Sequence, residues 1–163
     1  MRIGVISDTH IPRACPSLPA KVIKAFDGVD LILHAGDLVE IKVLRDLEKI
    51  AKTTAVYGNM DEPEVRNVLR EKEIINIGGF AIGLIHGGGP VQNITNYVKN
   101  QFMEKVDAIV FGHSHAPLNE TKNGILFFNP GSPTDRIFAK YNSCGILTVT
   151  DKIEGEIIKI DGE

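Results

Sequence analysis

Seven side chains able to bind a metal ion stand at or just past the ends of short apolar runs. Asp8 and His10 follow residues 2–7, Asp37 follows 31–33, Asn59 follows a run ending at Tyr57, His86 follows 80–85, and His113 and His115 follow 108–111. All five histidines of the chain, His34 included, lie at or beside such an end, which histidines scattered over a surface would not do. The donors are imidazoles, carboxylates and one carboxamide, with no thiolate. That mixture suits Mn, Fe, Co, Ni or Zn rather than a cysteine-type structural zinc. Seven donors exceed what a tetrahedral structural site uses. They fit two adjacent divalent ions of five or six coordination completed by water, an open site of the catalytic kind.

Taken alone, Asp8-x-His10 carries little, because Asp commonly follows a strand into a turn. His113-x-His115 carries more, since Gly112 lets the backbone turn sharply before two neutral ring nitrogens. Gly36-Asp37 and Gly58-Asn59 repeat the device of a glycine followed by a donor. Asp37 offers two oxygens and could bridge two cations.

For these donors to meet, the apolar runs must be neighbouring strands of one open sheet edge, where ligand crevices lie beyond the strand carboxyl ends. Residues 2–7 read as a buried central strand. Residues 18–26 read as a helix with apolar Leu18, Val22, Ile23 and Phe26, Ser17 available as cap, Pro19 in the first turn and Gly28 at its end. A strand at 31–33, a helix carrying Ile41, Val43, Leu44, Leu47 and Ile50, and a strand ending at Tyr57 complete a β-α-β-α-β run. Such a run gives parallel strands with helices on their faces. Asp61 and Glu64 have capping-box spacing before a helix around 65–69. Gly78-Gly79 reads as a hairpin turn between 73–77 and 80–85, residues 91–106 as helix, and 108–111 as the strand before the two histidines. After Pro117, Asn123-Gly124 and residues 144–160 read as hairpins, so the last third is expected to be antiparallel within a mixed sheet or two packed sheets.

At 163 residues the chain is expected to be one domain, 1–163, long enough to bury roughly 70% of its unfolded surface. Its formal charge of -3, with Lys and Arg scattered, gives no footprint for extended nucleic acid, although a nucleotide-sized substrate fits. Two cysteines and the lack of a leader suggest free thiols in a cytoplasmic protein, and no apolar run reaches membrane-spanning length.

In this order and over most of the chain, Asp8-x-His10, Gly36-Asp37, Gly58-Asn59, His86 and Gly112-His113-x-His115 resemble the calcineurin-like metallophosphoesterases, in particular their small phosphodiesterase branch. The resemblance implies an α/β/β/α four-layer sandwich with mixed sheets and two metal ions, manganese foremost. One ion would be held by Asp8, His10, Asp37 and His115, the other by Asp37, Asn59, His86 and His113. The implied activity is hydrolysis of small phosphodiesters by a hydroxide shared between the metals.

Two positions depart from the family pattern. Many relatives carry after the Asn a His that protonates the leaving group, and here that place is Met60, which has no proton to give. Asp61 or water would then act, unless Asp61 is a helix cap. Small relatives often carry a second His where this chain has Gly88. His34 reads either as a residue orienting a ligand or as a satisfied buried histidine. The turn at Asn129, Pro130, Gly131 and Ser132, with Arg136 and Arg13, could hold phosphate. The rival readings are a non-catalytic interaction scaffold like the retromer sorting subunit of the same fold, and a nuclease, which the missing basic stripe disfavours. Homo-oligomerisation is left open.

Overall fold

The computed structural model of the protein describes residues 1–160. Two five-stranded sheets pack face to face. The first has the order β10-β9-β1-β2-β3, from β1 (Arg2–Ile6), β2 (Leu31–His34), β3 (Thr53–Ala55), β9 (Ser143–Val149) and β10 (Ile153–Lys159). The second runs β4-β5-β6-β8-β7, from β4 (Lys72–Ile77), β5 (Phe80–Ile85), β6 (Ala108–Val110), β7 (Leu118–Lys122) and β8 (Ile125–Asn129). Strands β1, β2 and β3 are parallel, as are β5, β6 and β8. The three hairpins β4–β5, β7–β8 and β9–β10 are antiparallel, and β9 also pairs antiparallel with β1.

Period-two alternation assigns the faces. Ile3 and Val5 of β1, Leu31 and Leu33 of β2, Ile82 and Leu84 of β5 and Ala108 and Val110 of β6 fill the space between the sheets. Ile6 and Ile32 point outward, against Val22 and Phe26 around α1 (Ala20–Ala25), Val43 and Leu47 of α2 (Ile41–Glu48) and Val65 of α3 (Pro63–Val68). Ile109 faces Ile94 and Val98 of α4 (Ile94–Asn100). The layers are therefore α/β/β/α. Phe128 sits between the sheets on the bare backbones of Gly145 and Gly155, where an added Cβ would come within 2.5 Å of its ring.

The structure departs from the periodicity in four places. Helix α1 begins at Ala20 behind Pro19 with no side-chain cap from Ser17. Glu62, not Asp61, precedes α3, and no capping box forms with Glu64. The apolar pattern of 91–106 yields one 3₁₀ turn and the seven-residue α4, because Phe102 and Val106 reach the core from a loop. The last third is not wholly antiparallel, since β8 joins the parallel set beside β6. No helix among the described residues is long and apolar enough to cross a membrane.

Candidate metal centre

Six parallel strands end at one rim, and the loops leaving them are laced together. The amide of Asp8 donates to Gly36 O (3.0 Å), that of His10 to Asp37 O (3.0 Å) and that of Gly112 to His86 O (2.9 Å). Asp8, His10, Asp37, His113 and His115 all have left-handed backbone, with φ between 46° and 68°. L-residues with side chains rarely adopt that region, and each instance costs of order 1–3 kcal/mol, so the surrounding bonds must hold five strained donors in place.

All seven expected donors meet. Nε2 of His115 is 3.4 Å from Asp8 Oδ1 and 3.3 Å from His10 Nε2. Nε2 of His86 lies 3.3 Å from Asp37 Oδ2, 4.0 Å from Asp8 Oδ1 and 3.1 Å from Asn59 Oδ1, and Nδ1 of His113 is 3.3 Å from the same Asn59 oxygen. Two groups have donor atoms all within 4.8 Å of one another: Asp8, His10 and His115, and Asp8, Asp37 and His86. Asp8 is common to both. Asp37, expected to be the shared ligand, also reaches both sides, with Oδ2 3.7 Å from His10 Nε2.

The glycines preceding the donors have a second use beyond turning the chain. A Cβ at Gly36 would lie 2.7 Å from the His86 ring, at Gly58 2.2 Å from Asp37 Oδ1, and at Gly112 2.6 Å from Asp8 Oδ2. Each makes room for a donor arriving from another loop.

The donor set fits divalent metal. Asp8 and Asp37 are buried carboxylates paired among the described residues with imidazoles and amides, never with Lys or Arg. His86 donates Nδ1–H to Ala35 O (2.8 Å) and His115 donates Nδ1–H to Asp135 Oδ2 (2.5 Å), which turns both Nε2 atoms toward the cluster. Burial disfavours charge on His86, but its hydrogen bond to Asp37 and the charges of Asp8 and Asp37 outweigh it and raise its pKa to about 9. Burial is outweighed in the same way at His115 by Asp8 and then Asp135, again to about 9. Without metal, protons on these rings neutralise the carboxylates. Because the folded pKa lies above the ordinary 6.5, this stabilisation is complete below pH 6.5 and disappears as pH rises through about 9. Calorimetry of metal-free protein should therefore show a midpoint that falls across that interval. A midpoint rising over the same range would contradict this assignment of charge.

The structure also answers for the other residues singled out. His34 is fully buried and neutral, its pKa lowered to about 3 by burial; its Nδ1 accepts from Gly36 N–H and its Nε2 bonds Thr9 Oγ1, so it supports the Asp37 turn without facing the donors. Asp61 is buried, and its two oxygens accept from the amides of Asp37 (3.0 Å), Gly58 (2.7 Å) and Val39 (2.6 Å). It ties two donor loops together from within the fold. Asn129 holds Gly112 O and Ser114, while Ser132 and Thr134 donate to the backbone of Asp8 and Thr9. The turn expected to take phosphate thus braces the donor loops. Arg13 pairs with exposed Glu62 at 3.6 Å.

Asp135 was not foreseen. Besides His115 it accepts amides from Ile137, Phe138 and Ala139, and although burial opposes its charge these bonds hold its pKa at about 2. Its only sequence signal is an Asp placed to accept from amides two to four residues on. Removing a carboxylate behind a metal-bound histidine typically costs 10–100-fold in metal affinity. Asp135→Asn, which keeps an acceptor for the loop, should show a loss of about that size in a metal titration; unchanged affinity would detach Asp135 from the centre.

The model of the calcineurin-like phosphoesterase superfamily domain matches residues 1–152. A protein of Methanocaldococcus jannaschii named probable metallophosphoesterase is 41% identical over 165 residues, covering 99% of this chain and 82% of that protein. Among solved structures, a novel archaeal phosphodiesterase is 25% identical with a TM-score of 0.76, covering 98% of this chain and 100% of the other. Wild-type Vps29 of Entamoeba histolytica complexed with zinc gives the same identity, TM-score and coverages.

Proposed function

The chain belongs to the calcineurin-like phosphoesterase superfamily, and from that membership we propose that it hydrolyses small phosphodiesters at a centre holding two divalent metal ions, manganese foremost. The observation that supports this reading is the convergence of seven candidate donors, five of them on strained backbone and two of them buried carboxylates that have no Lys or Arg partner among the described residues. Asp8, His10 and His115 would hold one ion, and Asn59, His86 and His113 the other, with Asp37 serving both. Ions bound there supply Lewis acidity, lowering the pKa of water and neutralising charge that builds on the phosphoryl oxygens.

The residues of this chain set how the reaction is supported. Asp37 is fixed by Met60 N–H on Oδ1 (2.7 Å) and presents Oδ2 to His10 and His86. Asp61 is a positioning residue in this account, since its oxygens are engaged by three amides. With Met60 unable to give a proton, the leaving group is protonated by water, so diesters with acidic leaving groups are favoured. The test is turnover of bis(4-nitrophenyl) phosphate by protein loaded in turn with Mn, Ni, Co, Fe or Zn. Metal-dependent release of nitrophenolate supports the reading, and no release with any of the five contradicts it.

A second reading, an interaction scaffold, is favoured by one observation. Ile137 and Phe138 are 81% and 80% exposed beside the centre, with the Phe138 ring 6.3 Å from that of His115. The same turnover assay separates the two.

A further inference from the structure

Resting on the phosphoesterase reading, we infer that a cleft beside His86 and Asn59 is a subsite for a planar heteroaromatic group of the substrate, and that Tyr97 is the residue that selects it. The cleft has a volume of about 260 Å³ and is walled by Tyr57, Arg66, Glu71 and Tyr97 as well as by these two donors. It lies below the ~300 Å³ at which pockets begin to hold a whole drug-sized ligand, so it takes one ring system rather than a polymer.

The chemistry of the wall narrows the occupant. Arg66 is held by two bonds, Nε to Asp61 O (2.9 Å) and Nη2 to Asn59 O (2.6 Å), with its guanidinium 5.5 Å from the Tyr57 ring centroid. Among the described residues, its Nη1 amino group and the Glu71 carboxylate are engaged by no protein group. The cleft thus offers two aromatic rings, a fixed donor and an acceptor. A carboxylate in the wall disfavours a second anion, whereas the edge of a nucleobase carries both acceptors and donors. Tyr97 is placed by Gly88 and Gly89, where an added Cβ would lie 3.1 Å and 3.4 Å from its side chain. Gly88 therefore leaves the position to the tyrosine of α4.

Calorimetric binding of AMP, ribose 5-phosphate and inorganic phosphate to the Mn-loaded protein tests the subsite without relying on turnover. AMP should bind more tightly than ribose 5-phosphate. Tyr97→Leu should reduce that ratio about tenfold, as expected for loss of one base–aromatic stack, and Tyr97→Phe should keep it. Equal binding of AMP and ribose 5-phosphate, or a ratio unmoved in Tyr97→Leu, would overturn the subsite alone. Failure of all three ligands to bind would overturn the phosphoesterase reading and the subsite with it.

Discussion

Replacing Asp37 with alanine is expected to lower turnover of bis(4-nitrophenyl) phosphate by roughly a thousandfold or more and to reduce the metal held per chain. Its Oδ2 lies 3.7 Å from His10 Nε2 and 3.3 Å from His86 Nε2, so one oxygen faces donors on both sides of the cluster. Stabilisation of transition-state charge by a metal amounts to several kcal/mol, and each 1.36 kcal/mol is tenfold in rate, which sets the scale of the loss. The fold should survive, because the amide and carbonyl of Asp37, which bond Asp61 and His10, are retained. The assay is run at saturating metal with content measured on the same sample. A variant that keeps wild-type turnover at full loading would remove Asp37 from the mechanism.

The second large effect comes from a residue with no functional group. Gly58→Ala puts a methyl 2.2 Å from Asp37 Oδ1 and 2.7 Å from its backbone nitrogen, distances that real Cβ atoms do not tolerate. The obstacle is partly main chain and cannot swing aside. Overpacking of this kind typically costs about 1–3 kcal/mol. For a chain of this size that is roughly 2–12 °C in thermal midpoint. Activity should fall further than stability, by about a hundredfold, because a misplacement of about 1 Å at a reacting centre costs that much. A Gly58→Ala protein with unaltered metal affinity and rate would show that the close approach is not needed.

The cluster of candidate donors is legible because buried strands write themselves as apolar runs, and polar residues at the strand ends interrupt those runs with His, Asp or Asn. His86 illustrates this: 80–85 is apolar, and the next residue is the ligand candidate. Asp135 left no such mark, since it reaches His115 from 20 residues away through a turn that only the folded chain brings back. The place of Asp61 is hidden in the sequence for a related reason. Spacing to Glu64 mimics a helix cap, but its partners Asp37 and Val39 lie more than 20 positions upstream. The sequence period overruns helix α4 because Phe102 and Val106 extend it although they enter the core from a loop. The glycines at 36, 58 and 112 have the sequence setting of turn formers, whereas their tightest constraint is a side chain from a distant loop.

The central claim is that two ions are held jointly by residues remote in the chain. It is met most directly by the anomalous difference map of a manganese-loaded crystal. Two peaks about 3.5–4 Å apart on either side of the Asp37 carboxylate are predicted, one toward His10 and His115 and the other toward Asn59, His86 and His113. Density for manganese only elsewhere on the molecule, or none between Asp8 and Asn59, would contradict it.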